Sequence, residues 1–231
     1  MKKKRAVSLI LLAAGLSRRF GSNKLFYEPN GIPLYRLMTD KLLLAADALS
    51  SEADCSVYVV TQYEEILADI TSLSRRDFPD SGRLTGVFSP DSPLGISYSI
   101  RAGIAAASAR LPGNVVSRPL YFFFAADQPW LTTESIIGFI RAALASPHPL
   151  GCVCYGDRPG NPAFFDSTFL PELAALTGDC GGKKVLHRHR ENCLLYPLSD
   201  EKELEDVDKP PSGNRKQTAF HTCAAAPKSV E

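Results

Sequence analysis

Ala6 to Leu12 is a short apolar run containing Val and Ile, and two glycines (Gly15, Gly21) and three cations (Arg18, Arg19, Lys24) follow it closely. A run of that length and composition suits a β-strand covered on both faces, and it is too short for a membrane span. The basic head Lys2–Arg5 also resembles the start of a secretory signal. Export, however, calls for small residues and a neutral cleavage site after the apolar region. Arg18, Arg19 and Lys24 stand there instead. The stretch is therefore expected to be a strand delivering its backbone to an anion-gripping loop, in a chain retained in the cytoplasm.

Composition narrows the function classes. No other apolar stretch approaches the roughly 20 residues that span a bilayer. With 45% hydrophobic and 22% charged residues and a net charge of +1, the chain lacks the basic excess of a general nucleic-acid binder. Its six cysteines show no CxxC pairing and read as core or incidental thiols of a reducing compartment.

Strand-like and helix-like segments alternate along the chain. Pro33–Leu49 has helical apolar spacing, Ser56–Thr61 is a strand, and Glu64–Leu73 is helical. Gly86–Pro90 is a short strand, and Gly95–Ala107 is a loop opening an Ala-rich helix. Pro119–Leu131 is the most hydrophobic strand, broken by Asp127, and Thr132 or Thr133 caps the helix that follows through Ala145. Gly151–Tyr155, Pro162–Phe165 and Cys193–Leu198 complete the strands, with a helix near Lys183–His189. This order predicts an α/β fold with a mostly parallel sheet and helices on both faces. One domain over 1–208 is expected. Residues 209–231, which begin with adjacent prolines and hold no sustained period, are expected to be a loose tail.

Three places could carry chemistry. In "LLAAGLSRRFGSNK" (Leu11–Lys24), glycine and alanine let backbone N–H groups approach phosphate oxygens while Arg and Lys neutralise charge. The spacing is neither GxxxxGK with a following Ser or Thr nor GxGxxG, so a P-loop NTPase and an NAD site both fit poorly. In "AADQPWL" (Ala125–Leu131), Asp127 ends an apolar strand, where open α/β sheets bind ligands, and offers a hard oxygen suited to Mg²⁺. In "LEDVDKP" (Leu204–Pro210), Asp206 and Asp208 flank one apolar residue and would face the same side of an extended chain.

The first stretch resembles the LAAGxSxRMGxxK signature of the MobA-like nucleotidyltransferases, and more closely their molybdenum cofactor cytidylyltransferase branch. Leu12, Ala13, Ala14, Gly15, Ser17, Arg19, Gly21 and Lys24 fit it, with Phe20 where Met is usual. Asp127-Gln128-Pro129 matches the family's DQP, whose Asp is a metal ligand. Asp208 occupies the place of a second metal-holding residue, although Lys209 replaces the usual Thr. Gly95, Ser97 and Ser99 match the branch's helix-opening motif, at a helix N-terminus suited to an anion or ribose. Arg158–Phe165 and Leu176–Leu186 resemble the segments that line the family's pterin pocket. They nominate Gly160, Asn161, Pro162, Gly178, Asp179 and Gly181, with Asn161 where His is common and Gly182 where Ala is.

The resemblance implies a Rossmann-like nucleotidyltransferase fold that joins CMP from CTP to the phosphate of molybdopterin, or molybdenum cofactor, and releases pyrophosphate. Lys24, Arg19 and Asp127 would be catalytic, with Ala14 against the base and Mg²⁺, or Mn²⁺ in its place, on Asp127 and Asp208. The family's LAAG form accompanies cytidylyl transfer and LAGG guanylyl transfer, which favours CTP over GTP. Two alternatives stay open: transfer to a sugar phosphate or methylerythritol phosphate, and a non-catalytic carrier that delivers cofactor to a molybdenum enzyme. His187 and His189 sit among Lys183, Lys184, Arg188 and Arg190 in a basic helix, able to meet an anion.

Overall fold

The structure, a computed structural model, describes residues 4–17, 20–79, 81–111 and 118–208. Arg19 and the tail expected at 209–231 lie outside the described residues. The strands are β1 (Arg5–Leu12), β2 (Ala53–Thr61), β3 (Leu84–Phe88), β4 (Leu120–Ala125), β5 (Leu150–Tyr155), β6 (Arg158–Asp166) and β7 (Cys193–Pro197). The helices are α1 (Leu34–Ala48), α2 (Glu64–Asp77), α3 (Ile96–Ala109), α4 (Thr133–Ala145), α5 (Leu170–Ala174) and α6 (Lys183–Arg188). None is long and apolar enough to cross a membrane.

All seven strands share one sheet in the order β3-β2-β1-β4-β6-β5-β7. Side-chain alternation along the central strands divides the core into two layers. Val7, Leu9 and Leu11 of β1 and Leu120, Phe122 and Phe124 of β4 pack with Met38 and Leu42 of α1, Ile66 and Ile70 of α2, and Ile136 and Phe139 of α4. Ile10, Tyr121 and Phe123 face the other way, against Ile100 and Ile104 of α3, Leu173 of α5 and Val185 of α6. Each large apolar side chain so buried contributes roughly 1.5–3 kcal/mol. The second layer depends on close approach: a Cβ on Gly103 of α3 would sit 2.6 Å from Ile10 Cγ2.

β1 pairs in parallel with β2 and β4, as do β2 with β3 and β5 with β7. β6 is the exception, antiparallel to both β4 and β5. The sequence reading starts this strand at Pro162, but it begins at Arg158. The stretch Pro159-Gly160-Asn161-Pro162 has loop composition. It is nonetheless held by pairing of Tyr155 with Arg158 and of Cys154 with Pro159, after a register shift in β5. Only Gly156 and Asp157 separate β5 from β6, too few for the crossover that parallel strands require. Gly156, at φ +53°, supplies the left-handed turn. With β6 alone reversed, the C-terminal ends of β1, β4 and β5 lie along one edge of the sheet.

Candidate active site

A cleft of about 1330 Å³ opens at that edge and runs over the α3–α6 face of the sheet. Ala14, Gly15, Leu16 and Ser17, which follow β1, line one end. Ala13 is wholly buried and extends the sheet by donating its N–H to the Val60 carbonyl at 2.8 Å. The Gln62 side chain donates to the Ala14 carbonyl at 2.5 Å, and the Tyr63 hydroxyl to the Gly15 carbonyl at 2.9 Å. The carbonyls are thus tied back, while the N–H groups of Ala14, Gly15, Leu16 and Ser17 donate to no acceptor among the described residues. Such a run of unused donors is an anion cradle. A Cβ on Gly15 would meet nothing within 4 Å, so the backbone there is open to a ligand.

Ser17 turns the loop at φ +51°, a conformation costing roughly 1–2 kcal/mol for a residue with a Cβ. Its hydroxyl accepts from the Lys24 N–H at 3.1 Å, and its carbonyl from the Phe20 N–H at 2.9 Å. Asn23 caps the short 3₁₀ helix Lys24–Phe26 by accepting from Leu25 N–H. These bonds bring Lys24 back over the end of β4, where its Nζ lies 2.5 Å from Asp127 Oδ2 and 3.7 Å from Asp208 Oδ1. Residues 103 apart in sequence thus meet at one point.

The Asp127 loop is fixed from three sides. Lys41 of α1 donates to the carbonyls of Pro129 and Leu131 at 2.5 and 2.7 Å. The buried Glu203 carboxylate accepts from both the N–H and the hydroxyl of Thr132, at 3.0 and 2.9 Å, and Thr132 in turn caps α4 through Ser135 N–H. Val207 donates its N–H to the Asp127 carbonyl at 2.8 Å. Burial holds the Lys41 ammonium below its ordinary pKa, partly offset by Glu203 and Glu134.

Val207 is buried with Phe20 and Leu34, which leaves Asp206 and Asp208 on either side of it to line the cleft. Asp206 was not among the metal ligands the sequence nominated, yet it stands beside Asp127. Its pKa is raised, first by the enclosing protein and then by the charge of Asp127, against a hydrogen bond from Gln128 and the charge of Lys24. By surface area Asp206 is solvent-exposed. The cleft walls surround it without sealing it. Among the described residues no three His, Cys, Asp or Glu side chains are grouped to enclose a metal ion. Asp127 and Asp208, converging on one ammonium, are two hard-oxygen donors. That set fits a Mg²⁺-type ion, which keeps several waters and takes further ligands from substrate phosphates.

Of the residues nominated for the acceptor, Gly160, Asn161, Asp179 and Gly181 line the cleft, and so does Ser99. Ser99 is hydrogen-bonded to Ser92, and Ser92 to Ser89. Ala13, Lys24, Gly95, Ser97, Gly178 and Pro162 are not among the lining residues, although Lys24 reaches the cleft-lining Asp127. Gly95, at φ +134°, lies so close to the second loop that a Cβ would come 2.1 Å from the Gly178 carbonyl carbon, and Ser97 N–H donates to the Gly178 carbonyl. These residues dock the start of α3 onto the 177–182 loop. The Ser97 hydroxyl is fully buried without a partner.

Asn161 does structural work at the sheet edge. With its carboxamide oriented by its hydrogen-bonding network, Oδ1 accepts from Ala125 N–H at 3.0 Å and Nδ2 donates to the Phe123 carbonyl at 3.1 Å. In either orientation it lies 3.0 Å from the Gln128 carboxamide. Pro162 has no N–H to give, and the β4–β6 ladder ends at Phe123–Ala163. The side chain stands in for the missing peptide group, with one donor and one acceptor. It thereby secures the end of β4 one turn before Asp127.

The family model of the MobA-like NTP transferase domain matches residues 9–193, ending before Asp206. The purine catabolism protein PucB of Bacillus subtilis is 27% identical over 202 residues, covering 87% of this chain and 91% of that protein. The crystal structure of Rv0371c from Mycobacterium tuberculosis superimposes with a TM-score of 0.58 at 21% identity, covering 85% of this chain and 89% of that one. Its complex with manganese gives 0.53 at 20% identity, with 84% and 87% covered. Molybdopterin-guanine dinucleotide biosynthesis protein A of Archaeoglobus fulgidus gives 0.57 at 15% identity, with 88% and 93% covered. The family model spans well over half of the sequence, and the chain belongs to the MobA-like NTP transferases.

Proposed function

We propose that the protein transfers CMP from CTP to the phosphate of molybdopterin, or of molybdenum cofactor, releasing pyrophosphate in a divalent-metal-dependent reaction. The observation that carries this reading is the meeting of Lys24 with Asp127, an aspartate that lines the same cleft as residues 14–17 with their unused N–H groups. An acceptor phosphate oxygen attacks the α-phosphorus of the nucleotide, the bond to the β-phosphate oxygen breaks, and pyrophosphate leaves with its electron pair. The obstacle is charge, because one anion must approach another. Two unit charges about 4 Å apart interact by roughly 4 kcal/mol at an effective dielectric near 20, so a few fixed cations outweigh much of that repulsion.

In this reading the backbone N–H groups of Ala14 to Ser17 and the Lys24 ammonium hold the triphosphate, together with Arg19 from outside the described residues. Asp127 and Asp208 hold the divalent ion, which supplies charge neutralisation at the phosphates when bound. Ala14 packs against the base. Gly160, Asp179 and Gly181 border the acceptor, and Asn161 keeps β4 in place beside it. Catalysis then rests on positioning and electrostatic preorganisation, with no protein nucleophile. The LAAG motif supports CTP, and the acceptor-side motifs support a pterin.

Pyrophosphate release with molybdopterin as acceptor, measured for CTP, GTP and ATP with Mg²⁺ and with Mn²⁺, tests the proposal. CTP is expected to be preferred. Turnover with GTP alone would overturn the base assignment, and turnover only with a sugar or methylerythritol phosphate would overturn the acceptor. Retention of finished cofactor with no pyrophosphate release from any triphosphate would replace the enzyme with a carrier.

A further inference from the structure

The cleft continues well beyond the anion cradle. Its far floor is formed by Cys152, Ala163 and Phe165, with Cys193 and Leu195 of the edge strand β7. Phe165 and Cys152 are almost wholly buried and give this floor an apolar, polarizable surface. One wall is α6. Lys183 and His187 lie four residues apart on a single helical face, and Arg190 extends that face into the next 3₁₀ turn. All three side chains line the cleft.

The other cations of this segment are disposed differently. Arg188 and His189 share the Glu172 carboxylate, each at 2.8 Å, and Lys184 is exposed outside the cleft. Lys183, His187 and Arg190 form no ion pair among the described residues. Asp157 and Asp179 line the same cleft without reaching any of the three. Val185 and Leu186 anchor α6 against the sheet, which fixes the direction of the cationic face. The segment thus pairs two of its outward cations, Arg188 and His189, and leaves unpaired all three that line the cleft.

We propose that the far end of the cleft binds a second anionic group, carried on a planar ring of the acceptor remote from the phosphate that is nucleotidylated. The acceptor class is then a molecule with a planar ring and an anionic group at each end. A neutral-tailed polyol phosphate would leave the floor wetted and the three cations unpaired. Naming the ligand as acceptor rests on the nucleotidyl-transfer reading, whereas the anion subsite rests on the wall and floor themselves.

The test uses two fluorescent probes on the full chain, 6-carboxypterin and neutral 6-methylpterin. The carboxylate form is expected to bind about tenfold more tightly, the scale of one charge-assisted hydrogen bond. In Lys183→Gln/Arg190→Gln that preference is expected to vanish, with 6-methylpterin affinity and calorimetric binding of Mg·CTP unchanged. Both substituted residues are exposed, so a thermal melt matching the parent is expected. Equal affinity of the two probes for the parent protein, or an undiminished preference in the double variant, overturns the subsite. A carboxylate preference that vanishes in the double variant, found alongside no nucleotide binding, supports the subsite and overturns the transfer reading. Nucleotide binding with no carboxylate preference overturns the subsite alone.

Discussion

The two halves of the cleft are built by opposite means. At the cradle end, backbone groups that do not face the cleft are bonded to protein: Ala13 to Val60, the Ala14 and Gly15 carbonyls to Gln62 and Tyr63, and the Asp127 carbonyl to Val207. At the far end the scaffold is a hairpin, two helices of five and six residues, and an edge strand. The cations there point at open space, and their helix is tied outward through a partly exposed carboxylate. Chemistry common to a family needs charges fixed in advance of the reaction. Recognition of one acceptor needs a surface whose side chains can change without disturbing that geometry. Under the proposed function, the contrast would put rate in the first half and choice of acceptor in the second.

The largest expected effect is at the cradle end. Asp127→Asn keeps the shape and removes the charge, and is expected to lower pyrophosphate release by about 10²–10³-fold, the scale seen when one preorganised electrostatic group is lost, with an unchanged melting profile. Near-normal release would break the assignment of rate to this half. Glu203→Ala leaves the Thr132 N–H and hydroxyl without their buried acceptor and opens a void. It is expected to cost about 2–4 kcal/mol in urea unfolding and to raise the Mn²⁺ concentration giving half-maximal activity. Unaltered Mn²⁺ dependence would show that the loop holds its place without that clamp.

Asn161→Ala removes the substitute peptide group and is expected to cost about 1–2 kcal/mol, while Asn161→Asp, which lacks the donor, recovers little of it. Measured acceptor KM and kcat would sharpen the division of labour: a fall in kcat exceeding the rise in KM places Asn161 functionally with β4. The smallest effect belongs to the far end. Hydrogen bonding by Arg188 first, then by His189, holds Glu172 below its ordinary pKa against the opposing pull of burial. A depressed carboxyl stabilises the fold fully above its unfolded pKa, near 4.3, and loses that contribution as pH falls through the folded value. Glu172→Gln is therefore expected to cost only about 0.3–1 kcal/mol at pH 7, with the urea midpoints of parent and variant converging toward pH 3. No gap at pH 7 would mean α6 is held by packing alone, and a gap that persists at pH 3 would mean the loss does not come from the ion pair.

Much of the cradle end was legible in the sequence. β1 and β4 are apolar runs that no other element could accommodate, and Asp127 interrupts its run so abruptly that a functional edge was the natural inference. The predicted cap at Thr132 is present. What could not be read was tertiary. Asp206 joins Asp127 only because Val207 inserts beside Phe20. Gly95 and Gly178 meet because two loops dock, and nothing local marks either for the other. The first four residues of β6 look like a turn because their pairing comes from β5 rather than from their own propensity. The cationic face of α6 was visible as a basic helix, but which of its cations are paired depends on Glu172 of α5, which takes Arg188 and His189.

The bond from Val207 N–H to the Asp127 carbonyl ties the Asp127 loop to residues that follow β7 in the sequence. The sheet can close once β7 has been translated, yet the Glu203 clamp and Asp208 emerge later. A nascent chain halted between the two carries a formed cradle without its second carboxylate. If Asp208 holds a divalent ion as proposed, metal affinity is expected only with the last few codons of the described segment, and a polypeptide terminated before Asp208 is expected to leave nucleotide unconsumed.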